Sequence, residues 1–266
     1  MEIRPALSID PRLSRHVGPL LDSLVDFVFP PFCAACRRRM PGRERGAICP
    51  DCWQAYRRWP EGSCQRCGQP LPEAPLPKDL AANQDEVLCQ RCRIPGWSCA
   101  AVRTPGPFEK PVADAVHLLK YSDRRAVAAT LAGLMAAAAG ADPRYRRADL
   151  VLAVPLHGAR QRERGYNQAQ LLAAEVGRIM GKPCPERVLA RIRHTGSQTK
   201  LDQKQRQDNV RDIFAVRRPA RVQGATVILV DDVLTTGATI GSCGQALLRA
   251  GAAQVLALTA AAAPLA

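Results

Sequence analysis

Four Cys-x-x-Cys pairs before residue 100 constrain this chain more than any other feature of its sequence. Two such pairs supply the four thiolates of a tetrahedral zinc site, so four pairs predict two zinc ions. The spacing allows the first pair to combine with the second and the third with the fourth, and interleaved pairing also remains open. Because a closed set of four cysteines leaves no position for a substrate, both zinc ions are predicted to be structural. The pairs are Cys33/Cys36, Cys49/Cys52, Cys64/Cys67 and Cys89/Cys92.

Charge and hydropathy limit the cellular compartment and the classes of binding partner that this chain is expected to have. The chain has 38 Lys and Arg against 24 Asp and Glu, a formal charge of +14. This excess favours polyanions such as nucleic acid, phosphorylated sugars or pyrophosphate, although an Arg-rich solvated surface would give the same count. The longest apolar run, residues 126–141, is too short for a membrane span, and the N-terminus lacks the pattern of a signal peptide. A reducing cytoplasm is therefore predicted, where regularly spaced cysteines indicate metal rather than disulfides.

A change of composition near residue 98 divides the sequence into three predicted parts. Residues 1–18 are predicted to be a flexible leader, residues 19–97 a helix followed by a double zinc ribbon, and residues 98–266 an α/β domain. In the last part apolar strands alternate with amphipathic helices, which predicts a mostly parallel sheet with helices on both faces. The predicted strands are 99–103, 150–154, 226–230 and 254–259, and the predicted helices are 108–120, 123–139, 166–180 and 238–250.

The strongest predicted strand leads into two carboxylates and a threonine-rich loop. A strand, a tight loop and a helix N-terminus in this order place a ligand at the carboxyl end of a sheet. The loop amides and the helix dipole suit a phosphate, to which threonine hydroxyls add donors. Carboxylates repel phosphate, so their predicted partners are sugar hydroxyls or a Mg²⁺ ion shared with the substrate. The predicted ribose-phosphate residues are Asp231, Asp232, Thr235, Thr236, Gly237, Ala238 and Thr239.

Two other interpretations of residues 229–239 are possible. This segment is similar to a Walker B strand, but the chain has no Gly-Lys-Ser or Gly-Lys-Thr for the Walker A loop that such a strand accompanies. It also has the composition of an Asx-rich turn that merely caps a helix. The combination of paired carboxylates, threonines and glycine favours the ribose-phosphate interpretation over both.

These residues resemble the ComF family, also called GntX-type, of competence-associated phosphoribosyltransferase-like proteins with an N-terminal double zinc ribbon. The resemblance covers roughly residues 20–262. It implies a type I phosphoribosyltransferase fold for residues 98–266 and Mg²⁺·phosphoribosyl diphosphate as ligand. It also implies a pyrophosphate loop containing Arg160 and Arg164, and a hood containing Gln198, Arg206 and Asn209. The residues that carry it are Val154-Pro155-Leu156, Arg160, Arg164-Gly165-Tyr166-Asn167-Gln168-Ala169, Gln198, Arg206, Asn209-Val210 and Leu229 to Thr239.

The resemblance further implies a role in DNA uptake during natural transformation, beside a helicase-like protein and incoming single-stranded DNA. If active, the protein would be a pentosyltransferase that releases pyrophosphate; alternatively, it would be a catalytically silent scaffold that binds nucleic acid or a partner. The basic stretches 37–66 and 191–221 suit a single strand. Trp53, Tyr56 and Trp59 would either stack on bases or form the ribbon cores. No motif identifies an acceptor or a catalytic residue.

Overall fold

The structure is a computed structural model that describes residues 32–40, 47–59, 64, 66–71, 88–89, 92, 98–122, 125–192 and 213–263. The predicted leader, the helix predicted after it and the hood positions Gln198, Arg206 and Asn209 lie outside these residues. None of the helices in the described ranges combines the length and the apolar character that crossing a bilayer requires.

In the part of the chain that the structure describes, six strands form two sheets. They are β1 (Ala101–Arg103), β2 (Leu150–Ala153), β3 (Leu189–Arg191), β4 (Phe214–Val216), β5 (Thr226–Leu234) and β6 (Gln254–Ala262). The larger sheet is parallel with the order β1-β6-β5-β2, and β3 pairs with β4 in a separate antiparallel sheet. The central strands β5 and β6 are almost entirely buried, as expected for apolar strands of a parallel sheet that is covered on both sides.

Helices cover both faces of the parallel sheet, as predicted. The helices of the described residues are α1 (Pro50–Gln54), in the cysteine-rich module, and α2 (Val112–Tyr121), α3 (Val127–Gly140), α4 (Pro143–Arg146), α5 (Gly158–Arg164), α6 (Gln168–Met180) and α7 (Ala238–Arg249). Because successive side chains of a strand point to opposite faces, Ile228 and Val230 of β5 pack with α2, α3 and α6, whereas Val227 and Leu229 pack with α7 and β4. This alternation decides which way each carboxylate at the end of β5 points.

Two differences from the predicted elements bear on the site. The strand predicted over 226–230 continues to Leu234, so Asp231 and Asp232 belong to a strand that is still hydrogen-bonded to β6. The segment predicted as a pyrophosphate loop contains helix α5. That helix begins where His157 Nδ1 accepts a hydrogen bond from the Ala159 N–H (3.2 Å) and ends at Gly165, whose φ is 78°. Both are ordinary helix-end signals.

The cysteine-rich module packs against the parallel sheet and its helices. Around the first two cysteine pairs, Met40, Ile48 and Tyr56 belong to the same buried cluster as α2 and α3. The Tyr56 hydroxyl also donates a hydrogen bond to the Pro107 carbonyl (3.2 Å). Near the third pair, the Arg66 carbonyl accepts a hydrogen bond from the N–H of Val102 in β1. The ribbons therefore share packing and hydrogen bonds with the α/β domain.

Candidate functional site

The eight predicted cysteine ligands form two clusters, each with its sulfur atoms within 4.8 Å of one another. The first pair combines with the second and the third with the fourth, so the pairing is sequential. Measured sulfur–sulfur distances are 3.9 Å for Cys33–Cys52 and 3.8 Å for both Cys36–Cys49 and Cys67–Cys89. Four thiolates at about 2.3 Å from one zinc ion lie about 3.8 Å apart, whereas a disulfide requires about 2.05 Å. Both clusters fit a tetrahedral zinc ion.

One cysteine in each cluster is favoured as a thiolate, whereas burial, reinforced by neighbouring sulfur atoms, raises the pKa of Cys52 and Cys92. The Cys33 sulfur accepts a hydrogen bond from the N–H of Cys49 (3.3 Å), and the Cys64 sulfur accepts one from the N–H of Cys67 (3.5 Å). Burial acts to raise the pKa of Cys33, but backbone N–H groups, led by that of Cys36, outweigh it and lower this pKa to about 6. The hydrogen bond from the Cys67 side chain is the largest cause that lowers the pKa of Cys64 to about 4. Thiolate is the form that binds a metal.

A cleft of about 200 Å³ opens where β2 and β5 end. The two strands are neighbours, with Ala153 opposite Val230, so the segments that follow them lie side by side. One wall comes from α5, which follows β2, and the other comes from the end of β5 and the start of α7. Five of the predicted site residues line the cleft: Arg160, Arg164, Asp231, Asp232 and Thr239.

The loop between β5 and α7 supplies the other predicted residues. Gly237 has a φ of 78°, a conformation that suits glycine and lets the chain turn sharply into the helix. The Thr236 hydroxyl accepts a hydrogen bond from the N–H of Ala238 (3.4 Å) and so caps the helix start. Thr235, Thr236 and Ala238 are exposed. Because first-turn N–H groups have no partner within a helix, this exposed end suits a phosphate group.

The two carboxylates have different surroundings because consecutive strand residues point to opposite faces of a sheet. Asp232 is only 5% exposed and points towards α2 and α6, where Lys120 Nζ lies 3.0 Å from its Oδ1 and Gln168 donates a hydrogen bond to its Oδ2 (2.8 Å). Asp231 accepts a hydrogen bond from the N–H of Asp232 (2.8 Å). Burial, reinforced by the neighbouring Asp232 carboxylate, raises the pKa of Asp231 to about 8. Asp231 is thus the carboxylate that is costly to ionise.

Five polar residues that sequence reasoning did not assign to the site also line this cleft. They are Lys120 and Tyr121 at the end of α2, Asn167 and Gln168 at the start of α6 and Arg191 in β3. Gln168 links both walls, because its Oε1 accepts a hydrogen bond from Arg164 (2.6 Å) while its amide reaches Asp232.

The aromatic residues of the ribbons divide into buried and exposed sets. Tyr56 is 7% exposed, and Trp53 and Trp59 are half-buried against the two main apolar clusters. This placement favours the interpretation in which the three aromatics belong to cores. Phe32, by contrast, is 56% exposed and forms an antiparallel bridge with Arg39. Sequence reasoning did not single out Phe32 as a stacking residue.

Sequence comparisons agree with both halves of this architecture. A family model for a double zinc ribbon domain matches residues 24–93, and one for a phosphoribosyl transferase domain matches residues 162–264. The chain is 32% identical over 231 residues to DNA utilization protein YhgH of Salmonella typhimurium, which covers 85% of this chain and 94% of that protein. It is 31% identical, with the same coverage, to DNA utilization protein YhgH of Escherichia coli K12.

The chain also has more distant similarities. Competence protein F of Haemophilus influenzae is 27% identical over 227 residues, covering 84% of this chain and 93% of that protein. Among solved structures, glutamine phosphoribosylpyrophosphate amidotransferase from B. subtilis matches with a TM-score of 0.39 and 20% identity, over 54% of this chain and 30% of that one. The sequence matches over most of the chain, together with the two domain matches, show that the chain belongs to the ComF family of double zinc ribbon, phosphoribosyltransferase-like proteins.

Proposed function

We propose that this protein binds Mg²⁺·phosphoribosyl diphosphate, or a related ribose 5-phosphate ligand, in the cleft at the ends of β2 and β5. One observation carries the proposal. The carboxylates at the end of β5 and the threonine at the start of α7 line the same cleft as two arginines of α5. The carboxylates suit sugar hydroxyls, and the start of α7 suits the 5′-phosphate. The guanidinium groups of Arg160 and Arg164 suit pyrophosphate oxygens.

The donor atoms of the cleft also fit a Mg²⁺ ion that arrives with the ligand. Mg²⁺ prefers oxygen ligands and is commonly held by one or two carboxylates together with substrate phosphates. Asp231 and Asp232 are the residues that would hold it. Its positive charge would compensate the carboxylate pair, whose mutual repulsion contributes to the raised pKa of Asp231.

If the bound ligand reacts, the expected reaction is pentosyl transfer with release of pyrophosphate. The contribution of the chain would then be positioning and charge. Thr235 to Thr239 would hold the 5′-phosphate, and Arg160 with Arg164 would face the departing pyrophosphate. The hood residues predicted from the family, Gln198, Arg206 and Asn209, would cover the sugar. A pyrophosphate-release assay over a panel of acceptors tests this step.

Calorimetric titration with Mg²⁺·phosphoribosyl diphosphate tests the binding proposal directly. We expect the wild-type protein to bind and the double variant Asp231→Asn/Asp232→Asn to bind at least about tenfold more weakly. Glu175→Gln, which makes the same carboxylate-to-amide change at an ion pair with Arg178 outside the cleft, should bind as the wild type does. An unchanged affinity in a folded double variant would contradict the assignment.

We also propose a role in the handling of DNA, because relatives over most of the chain are named for DNA utilization and competence. The proposed setting is the cytoplasm during DNA uptake, beside a helicase-like protein and incoming single-stranded DNA. A reducing compartment would keep the cysteine clusters as thiolates available to zinc. The formal charge of +14 favours a polyanionic partner.

A second candidate function is a catalytically silent scaffold that binds single-stranded nucleic acid through the first ribbon. The observation that favours it is the exposed Phe32, which lies beside the exposed residues Arg37, Arg38 and Arg39 on one turn of the ribbon. An exposed ring next to guanidinium groups provides base stacking and phosphate contacts together.

Fluorescence anisotropy with an unstructured oligonucleotide near physiological salt tests the scaffold function. Phe32→Ala should cost about 1–3 kcal/mol of binding free energy if a base stacks on the ring. The matched variant Phe108→Ala removes another exposed phenylalanine, outside the ribbon, and should bind normally. Charge reversal at residues 37–39 should flatten the salt dependence, by about 0.7 in the log–log slope per lost phosphate contact. Absence of wild-type binding would reject this candidate and leave the sugar-phosphate function.

A further inference from the structure

Lys120 is held at the mouth of the cleft by contacts that fix the end of α2. The carbonyl of Leu119, the preceding residue, accepts a hydrogen bond from the Tyr166 hydroxyl (2.5 Å). The guanidinium carbon of Arg125 lies 4.6 Å from the centre of the Tyr166 ring. These contacts join the end of α2 to the segment just before α6, so the Lys120 side chain starts from a defined position beside the carboxylates.

The ammonium group of Lys120 compensates the carboxylate pair. Its Nζ lies 3.0 Å from Asp232 Oδ1, so Lys120 forms an ion pair with the buried member of the carboxylate pair. Gln168 donates a hydrogen bond to the other carboxylate oxygen of Asp232, Oδ2, and accepts a hydrogen bond from Arg164. The two walls of the cleft are therefore linked through Asp232.

Lys120 also borders the space next to the arginines. A second cleft of about 500 Å³ adjoins the first, and Lys120, Arg160 and Arg164 line both. The Lys120 side chain is 23% exposed and has four rotatable methylene groups, so its ammonium can move while the helix stays in place. It stands between the carboxylates and the two residues predicted for pyrophosphate.

We propose that Lys120 is a ligand-binding residue that changes partner, neutralising Asp232 in the ligand-free protein and binding the pyrophosphate group once sugar hydroxyls and Mg²⁺ occupy the carboxylates. This inference rests on the proposed sugar-phosphate function. A Mg²⁺ ion beside Asp232 repels an ammonium group, while the pyrophosphate brings negative charge to the cleft that Lys120 already borders. The ammonium group of Lys120, once released from Asp232, and the incoming pyrophosphate would thus lie in the same cleft.

Calorimetry with three probes tests the change of partner: ribose 5-phosphate, Mg²⁺·pyrophosphate and Mg²⁺·phosphoribosyl diphosphate. Lys120→Met keeps the aliphatic stem and removes the charge. We expect it to weaken both pyrophosphate-containing probes at least about tenfold, or about 1.4 kcal/mol, and to leave ribose 5-phosphate within about threefold. Lys120→Arg should restore most of the affinity. Lys182→Met, the same change outside both clefts, should behave as the wild type does. Zinc content and melting temperature verify that each variant is folded.

The outcomes separate this inference from the function on which it rests. If the wild-type protein binds none of the three probes, the sugar-phosphate function fails, and this inference fails with it. If the wild type binds but Lys120→Met weakens ribose 5-phosphate as much as the other probes, Lys120 only supports Asp232 and the partner change is wrong. Unchanged binding of Mg²⁺·pyrophosphate by Lys120→Met would also overturn it.

Discussion

The cysteine clusters and the carboxylate pair both gather acidic side chains, but their charges are compensated in different ways. In each cluster four sulfur atoms surround one point that fits a metal ion, and backbone N–H groups support the thiolates. Asp231 and Asp232 instead point to opposite faces of β5, where one is paired with Lys120 and the other has a raised pKa. A resident zinc ion stabilises the fold permanently. We propose that the carboxylates serve a ligand that comes and goes, and Asp231, whose pKa is raised, costs stability until that ligand binds.

The largest expected effect is the loss of the first zinc site. Cys33 is fully buried in the apolar cluster that includes α2 and α3, whereas Cys64 belongs to a small separate cluster with Cys67 and Cys92. We expect Cys33→Ser to reduce the free energy of unfolding by about 4 kcal/mol or more, because metal loss also opens the shared core. Cys64→Ser should cost the α/β domain less. Metal analysis should give two zinc ions for the wild type and one for each variant.

Thermal unfolding followed by circular dichroism compares the two cysteine variants. Equal melting temperatures would contradict the view that the first cluster is more strongly coupled to the α/β domain. Two retained zinc ions in either variant would contradict its assignment as a ligand.

A gain in stability is expected from Asp231→Asn in ligand-free protein. The pKa of Asp231 is about 8 in the folded state, against about 3.9 for an unperturbed Asp, so the folded state binds more protons between these values. Wild-type stability therefore falls as pH rises through this window, and the asparagine variant lacks this loss. One pKa unit corresponds to about 1.4 kcal/mol, so even part of the shift is measurable.

Melting temperatures from about pH 6 to about pH 8.5, without added Mg²⁺, check the sign of this effect. The advantage of Asp231→Asn over the wild type should grow as pH rises. Asp232→Asn serves as the comparison: it removes a carboxylate that Lys120 and Gln168 stabilise, and its pH-dependent gain should be smaller, because burial, the larger cause of the raised Asp231 pKa, remains. A constant difference across the range would show that Asp231 ionises normally.

Local sequence patterns predicted most elements because those elements depend on local periodicity. The strand 226–230 and the helix 238–250 follow from apolar runs and from a glycine at each turn. The strand end was placed too early because aspartate disfavours strands. In the structure Asp231 pairs with Thr259 and Val233 with Ala261, so the ladder with β6 overrides that preference.

The part of the site that escaped prediction depends on contacts between distant segments. Lys120 and Asp232 are far apart in the sequence, and no local pattern brings the end of α2 to the end of β5. The cysteines and carboxylates could be singled out as candidates from the sequence because their residue type and spacing indicate the chemistry directly, and the structure brings the cysteines into two clusters and the carboxylates into one cleft. The hood positions Gln198, Arg206 and Asn209 stay predictions from the family.

A smaller loss of stability is expected at the contact between the first ribbon and the α/β domain. Tyr56→Phe removes only the hydroxyl that donates to the Pro107 carbonyl (3.2 Å) and keeps the buried ring. We expect a cost of about 1 kcal/mol in the free energy of unfolding, typical of one hydrogen bond, measured by denaturant titration. Binding of Mg²⁺·phosphoribosyl diphosphate should not change. A large loss of affinity would mean that the ribbon helps to shape the cleft.

The smallest effect on stability, with a clear effect on binding, is expected from Thr236→Val. Its hydroxyl caps α7 through a long hydrogen bond to the Ala238 N–H (3.4 Å), so the loss should be about 0.5 kcal/mol. The same hydroxyl is exposed in the predicted phosphate loop, and its removal should weaken phosphoribosyl diphosphate about tenfold by calorimetry. Thr130→Val makes the same change at an exposed position of α3 and should alter neither quantity. A strong loss of stability with unchanged binding would contradict this prediction. It would mean that Thr236, like the cysteines, has a structural role and does not bind the ligand.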